Sequence, residues 1–253
     1  MKPRIKLATT QTPDGGELGL YNHDGDFLIM VNGQELMSSR RYESEKELAR
    51  LGCAHLKKRE APHILIGGLG MGYTLRQSLD LLGPDAKVVV SELLPAVVDW
   101  NREYLGDLNG QPLEDKRTEI ITGDIFPLLA NSAKSFDAIL LDVDNGPSAM
   151  TDEGNNQLYT GAGIEICKQA LRKPGVLAIW SAAPSKEFEQ LLMRGNFHVR
   201  RYRIPLYKGT HTKHAYIFIA TEDQNILPPG GGELRIPKRK KPKGKGKYDW
   251  RKR

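Results

Sequence analysis

From residue 63 to residue 194 the chain alternates short apolar runs with stretches of helical periodicity, and this alternation restricts the fold more than any other feature. HILIGG leads into a helix predicted over 73–82, KVVVSE into one over 95–105, TEIITGD into one over 125–130, FDAILLD into one over 155–171, and GVLAIWS into one over 186–194. Strands that alternate with crossover helices build right-handed βαβ units, and therefore a parallel sheet covered on both faces. The ending breaks the rhythm. FHVRRYRIP and HAYIFIA are separated only by LYKGTHTK, too little for a crossover helix, so these two strands are expected as an antiparallel hairpin at the sheet edge. The fold class predicted is α/β, with a doubly wound, mostly parallel seven-stranded sheet. Ahead of it, residues 5–10, 17–22 and 26–31 read as extended segments divided by the turn signals PDGG and HDGD, followed by a helix over 42–58. The organisation expected is a small β-rich piece with its helix over 1–60, an α/β domain over 61–222, and a tail over 223–253 that begins at Pro228, Pro229 and three glycines.

The net charge of +6 conceals two opposite parts. Residues 235–253, RIPKRKKPKGKGKYDWRKR, hold eleven Lys or Arg against Asp249 alone, so residues 1–234 carry a net charge of −4. Such a tail cannot build a core, but it attracts polyanions because each neutralised phosphate releases counterions. Tyr248 and Trp250 are candidates for stacking on unpaired bases; a solubilising tail without a specific partner is the alternative. No window reaches the roughly 20 apolar residues of a membrane span, and the N-terminus lacks the apolar stretch of a secretory signal. The location expected is cytoplasmic, with no membrane partner. Cys53 and Cys167 lie far apart without CxxC spacing and read as small buried apolar residues. His211 and His214 have no Cys or acid nearby to complete a metal site, so no metal is expected.

Chemistry-bearing residues fall at successive strand ends. Gly67, Gly68, Gly70 and Gly72, in GGLGMG, lie between an apolar strand and a helix, where glycine permits a sharp turn and close approach of a ligand to the backbone. The spacing is GxGxG rather than the dinucleotide fingerprint GxGxxG, which suits a nucleoside without a pyrophosphate. Glu92 ends the next strand about 20 residues on, where a carboxylate can accept both hydroxyls of a ribose, and Leu93 follows it. Asp124 is placed to accept from an adenine amine, to cap the helix over 125–130, or to do both together. Asp142 and Asp144, in DVDNGP, end the fourth strand beside the crevice and suit a cationic group; an acid-rich turn is the alternative. Arg40 and Arg41 are candidates for an anionic substrate group or a solvated surface pair, and Tyr202, Tyr207 and Tyr216 read as strand packing.

In the strings HILIGGLGMG, VVVSELLPAVVDWNREYLG, ITGDIFPLL, FDAILLDVDNGP and LYTGAGIEICKQALRKPGVLAIWS, over roughly residues 17–220, the sequence resembles the Rossmann-like class I S-adenosylmethionine-dependent methyltransferase fold and, within it, the spermidine synthase family of aminopropyltransferases. By this resemblance Gly68 and Gly70 contact the aminopropyl or amino-acid part of the donor, Glu92 holds its ribose, Asp124 and Ile125 flank adenine, and Asp142 is the catalytic or amine-binding acid. Gln34, Tyr42 and Tyr159 fall in the corresponding substrate-facing stretches. Two departures stand out. Gly70 occupies the place of the family's loop Asp (GGGDGG), and the signature D-[ST]-[ST]-D-P is replaced by Asp142-Val143-Asp144-Asn145-Gly146, with the second acid displaced by one residue.

The resemblance implies S-adenosylmethionine or decarboxylated S-adenosylmethionine as co-substrate and a small-molecule amine as acceptor, with Glu43 and Glu45 as possible distal acids. Methyl transfer, with RNA held by residues 235–253 as one acceptor, is the alternative. A non-catalytic nucleoside-binding protein tethered to nucleic acid is a further one, and a homodimer is left open.

Overall fold

The computed structural model describes residues 3–143, 155–207, 210 and 212–237. Asp144, the Asn145-Gly146-Pro147 turn, His211 and the tail from residue 238 on lie outside the described residues. The N-terminal strands β1 (Ile5–Gln11), β2 (Glu17–His23), β3 (Asp26–Val31) and β4 (Gln34–Ser38) form an antiparallel sheet in chain order. The fourth strand was not expected. Its sequence, QELMS, has four of five side chains at least partly exposed and no apolar face, and it is held by backbone pairing to β3. The helix predicted over 42–58 is shorter: α1 spans Glu43–Gly52, and a single 3₁₀ turn at Ala54–Leu56 follows.

The main elements then follow as β5 (His63–Gly67), α2 (Tyr73–Leu81), β6 (Lys87–Glu92), α3 (Pro95–Trp100, extended by a π turn to Leu105), β7 (Thr118–Thr122), α4 (Ile125–Ala130), β8 (Phe136–Leu141), α5 (Gly161–Ala170), β9 (Leu171–Ser181), α6 (Lys186–Arg194), β10 (His198–Pro205) and β11 (His214–Thr221). The seven strands order as β10-β11-β9-β8-β5-β6-β7. β5 to β9 are mutually parallel where they pair, and β11 is antiparallel to both neighbours. The hairpin therefore forms as predicted, but β11 inserts between β9 and β10, because the α6 crossover carries β10 to a position one strand beyond β9. The helix predicted over 155–171 divides into a 3₁₀ stretch at Asn155–Tyr159 and α5, and Leu171 already belongs to β9.

The central strands are buried on both faces; β8 (FDAILL) has no exposed residue, as a doubly covered parallel strand requires. Two apolar cores result. Leu48, Leu51, Leu75, Leu79, Val97 and Trp100 fill one face between the sheet and α1 to α3, and Leu129, Ile164, Cys167, Phe188 and Leu192 fill the other beneath α4 to α6. Both cysteines are buried, which pushes their thiols up to about 12 and matches their reading as small apolar residues. No helix among the described residues is long and apolar enough to cross a membrane.

At the amino end of β8 the fully buried Asp137 accepts the His63 backbone N–H at 2.8 Å and ion-pairs with Arg59 (2.7 Å) and Arg172 (3.2 Å). Asp137→Ala leaves these donors without their acceptor. Because both arginines keep more than a third of their side-chain surface in water, the loss expected is that of charge-assisted hydrogen bonds, about 2 kcal/mol, read as a lower urea midpoint.

Candidate active site

The strand order reverses at β5, between β6 and β8, which opens a crevice at the carboxyl ends of β5 and β8. Gly68 N–H donates to Ser91 O and Asp142 N–H donates to Gly67 O, both at 2.8 Å, so the loop leaves β5 tied to the ends of both neighbouring strands. Gly68 has φ +89°, and a Cβ there would lie 2.3 Å from the carbonyl oxygen of Asp142. Only glycine fits this junction. Gly72, at φ +81°, caps α2 in the left-handed conformation.

The loop is braced from outside by residues the sequence did not single out. Asn101 Nδ2 donates to Gly70 O at 2.8 Å and to Val97 O at 2.9 Å, and Asn109 Nδ2 donates to Met71 O at 2.9 Å. An asparagine on a buried helix face is the signal that marks Asn101. Met37 of β4 reaches the loop as well; its sulfur would lie 3.4 Å from a Cβ on Gly70. Gln34, three residues earlier, is exposed at the start of β4.

Glu92 lies at the end of β6 with 8% of its surface exposed. Its Oε2 accepts the Leu69 N–H at 2.8 Å and its Oε1 accepts the Leu94 N–H at 2.9 Å. Burial pushes its carboxyl above the usual range, and the backbone donors oppose that shift. Each carboxylate oxygen retains acceptor capacity for a further hydroxyl. Leu93 beside it is exposed, whereas Ile125 is buried against Gly67. Asp124 is exposed and caps α4 by accepting the Phe126 N–H at 2.8 Å, the capping alternative considered for it.

Asp142 and Glu45 are joined through Thr74. Asp142 Oδ2 accepts the Thr74 hydroxyl at 3.0 Å, and that hydroxyl lies 3.4 Å from the Glu45 carbonyl oxygen, so α2 links the end of β8 to α1. The Glu45 Oε2 accepts the Ser44 hydroxyl at 2.6 Å. Gly52 lets α1 press on the sheet: a Cβ there would lie 3.0 Å from Leu140 and 3.1 Å from Ala178. Burial pushes both carboxyls above their usual range, and the neighbouring Asp142 charge pushes Glu45 further. Tyr42 stacks on Tyr73 at 4.7 Å, and the Tyr73 hydroxyl donates to Ser39 O at 3.3 Å. The Tyr159 hydroxyl donates to Val143 O at 3.2 Å, directly after Asp142.

A glycine loop, a strand-end glutamate and a partly buried pair of carboxylates thus converge at the switch point of a doubly wound α/β sheet. The sequence pattern of the spermine/spermidine synthase domain matches residues 46–196, and the chain belongs to that family. Among curated relatives, it is 28% identical over 156 residues to a polyamine aminopropyltransferase of Prochlorococcus marinus subsp. pastoris, covering 61% of this chain and 51% of the relative. It is 27% identical over 126 residues to a polyamine aminopropyltransferase of Saccharolobus solfataricus, covering 50% of this chain and 40% of that one. The chain thus spans about half the length of these relatives, or less. The fold superposes on the crystal structure of spermidine synthase from Thermotoga maritima with a TM-score of 0.69 at 18% identity, covering 89% of this chain and 76% of that one. A spermidine synthase in complex with the transition state analogue AdoDATO gives the same TM-score at 19% identity, with the same coverage of both chains.

Proposed function

We propose that this protein transfers an aminopropyl group from decarboxylated S-adenosylmethionine to an amine acceptor, releasing methylthioadenosine. The observation that carries the reading is the Glu45 and Asp142 carboxylate pair at the glycine-loop crevice of a chain in this family. In this reading Glu92 accepts the ribose hydroxyls, Leu93 and Ile125 give adenine apolar contact, and Gly68 and Gly70 let the sulfonium side chain run against the backbone. The acceptor's neutral nitrogen attacks the propyl carbon bonded to sulfur. That C–S bond breaks, its electron pair stays on sulfur, and the new ammonium gives its proton to the carboxylate pair. Two neighbouring acids also select the donor: they attract its terminal ammonium, and they repel the extra carboxylate of intact S-adenosylmethionine.

Calorimetric titration tests this. The decarboxylated donor and methylthioadenosine are expected to bind more tightly than intact S-adenosylmethionine, and Glu92→Gln is expected to weaken the decarboxylated donor about 10- to 100-fold, the worth of a hydrogen bond to a charged group. Preference for the intact donor would overturn aminopropyl transfer in favour of methyl transfer.

A further inference from the structure

The main sheet ends in a basic edge. Over residues 198–221, which comprise β10, β11 and their connection, the sequence holds five Lys or Arg and no Asp or Glu. β10 is the outermost strand and carries Arg200, Arg201 and Arg203. The stretch 228–235 is fastened along it. Arg200 and the Tyr202 hydroxyl both donate to Pro228 O, the Gly232 N–H donates to Arg201 O at 2.8 Å, and Val199 and Arg235 exchange backbone hydrogen bonds at 2.8 and 2.9 Å. Residues 235–253, with eleven Lys or Arg against Asp249, therefore continue directly from this edge. Of the tyrosines expected to pack on strands, Tyr202 is buried and Tyr216 lies under the Arg201 guanidinium, whereas Tyr207, beyond the end of β10, is 39% exposed.

The acids on the elements beside this edge are already engaged. Glu189 of α6 is shared by Arg201 (3.0 Å) and Arg235 (3.2 Å), and Glu233 pairs with Arg235 at 2.7 Å. Glu222 follows the residue that pairs with His198 and is held by Lys168 and Lys173, while Asp223 caps the 3₁₀ turn at Gln224–Ile226. Arg203, 3.1 Å from His214 Nδ1, and Lys213 are exposed and pair with no carboxylate among the described residues. An extended strand edge and an extended basic segment suit the phosphates of a nucleic acid strand, because each neutralised phosphate releases counterions. Residues 238–253 contain no aliphatic side chain to bury in a bilayer, whereas Tyr248 and Trp250 offer flat rings to unpaired bases.

The crevice lies elsewhere. β10 is three strands from β8, about 14 Å across the sheet. Val199 lies near the amino end of a strand parallel to β8, opposite the carboxyl ends that hold Gly68, Glu92 and Asp142. We propose that the β10 edge and residues 235–253 form one surface for single-stranded nucleic acid, bound through its phosphates with Tyr248 and Trp250 stacked on bases. The surface is independent of the chemistry at the crevice.

Fluorescence anisotropy of a labelled 20-nucleotide single-stranded RNA, titrated with the full chain over a series of salt concentrations, tests this. The DNA strand of the same sequence and the RNA duplex are titrated beside it, and vesicles of phosphatidylserine and phosphatidylcholine are assayed by cosedimentation. The single strand is expected to bind more tightly than the duplex, with log K falling by about 0.7 per log unit of salt for each phosphate engaged; the tighter of the RNA and DNA strands names the nucleic acid. K238Q/R239Q/K240Q/K241Q is expected to reduce that slope by about 2–3, and R203Q/K213Q by about 1. Y248A/W250A is expected to bind the single strand at least about tenfold more weakly with an unchanged slope. Absence of binding at low salt, equal affinity for the duplex, wild-type values in any of the three variants, or retention on vesicles at protein concentrations that leave the RNA free would overturn the proposal.

Discussion

Asp142→Asn is expected to lower kcat/KM for aminopropyl transfer by about 10²- to 10⁴-fold, the range for removal of a positioned general base. Asparagine keeps the size of the side chain and can still accept the Thr74 hydroxyl, so the loss falls on charge and not on packing. Burial holds both carboxyls protonated into a range where a free carboxylate is ionised, and Glu45 is raised further by the Asp142 charge. Wild-type kcat/KM is therefore expected to rise with pH through the titration of the pair. In the variant Glu45 loses its repelling neighbour, and the residual activity is expected to rise at lower pH. Stability gives an independent readout. A carboxyl with a raised folded pKa stabilises the fold below its unfolded pKa, and that contribution is lost as pH rises through the folded value. Asp142→Asn removes one such group, so its urea midpoint is expected to gain on wild type between about pH 4 and pH 6. A rate within threefold of wild type, with an unmoved pH profile, would remove Asp142 from the proton-transfer role.

Why the pair was only half legible follows from where its members sit. Asp142 directly follows a fully buried strand at a predictable switch point, so the βαβ pattern alone places it. Glu45 is one of three glutamates on α1, and nothing in the periodicity of a charged helix tells which one turns toward a strand end almost a hundred residues later. That depends on the seat of α1 over Leu140 and Ala178, which Gly52 permits. The same contrast holds for the fold. Lys87–Glu92 and Lys186–Arg194 match their predicted bounds because apolar spacing and caps mark them; Ser185, for instance, accepts the Phe188 N–H at 3.1 Å. β4 escaped notice because its stability comes from backbone pairing, which leaves no side-chain pattern. The early start of β9 was hidden by Pro174, which reads as a break before the strand rather than a residue within it.

Gly68→Ala is expected to be severely damaging for a single added methyl group. At φ +89° an alanine is strained by about 1–3 kcal/mol wherever it sits. Here the added Cβ also falls 2.3 Å from a backbone carbonyl oxygen, that of Asp142, which cannot rotate away as a side chain would. Overpacking of this kind adds about 1–3 kcal/mol. Relief requires the loop and the end of β8 to part, which breaks the Asp142 N–H bond to Gly67 O and displaces the Asp142 carboxylate with it. The expected result is a fall in stability of about 2–6 kcal/mol together with more than a hundredfold loss of methylthioadenosine affinity. Gly70→Ala supplies the control within the same loop. Its φ of +52° lies in the left-handed well, and its Cβ would meet only the flexible end of Met37 at 3.4 Å. That variant is expected to lose about 1 kcal/mol, the ordinary penalty for a left-handed alanine. Urea unfolding and calorimetry on the two variants separate the causes. If both glycines prove equally costly, backbone strain governs the loop; a much larger effect at Gly68 identifies contact with the Asp142 backbone as what fixes the geometry of the crevice.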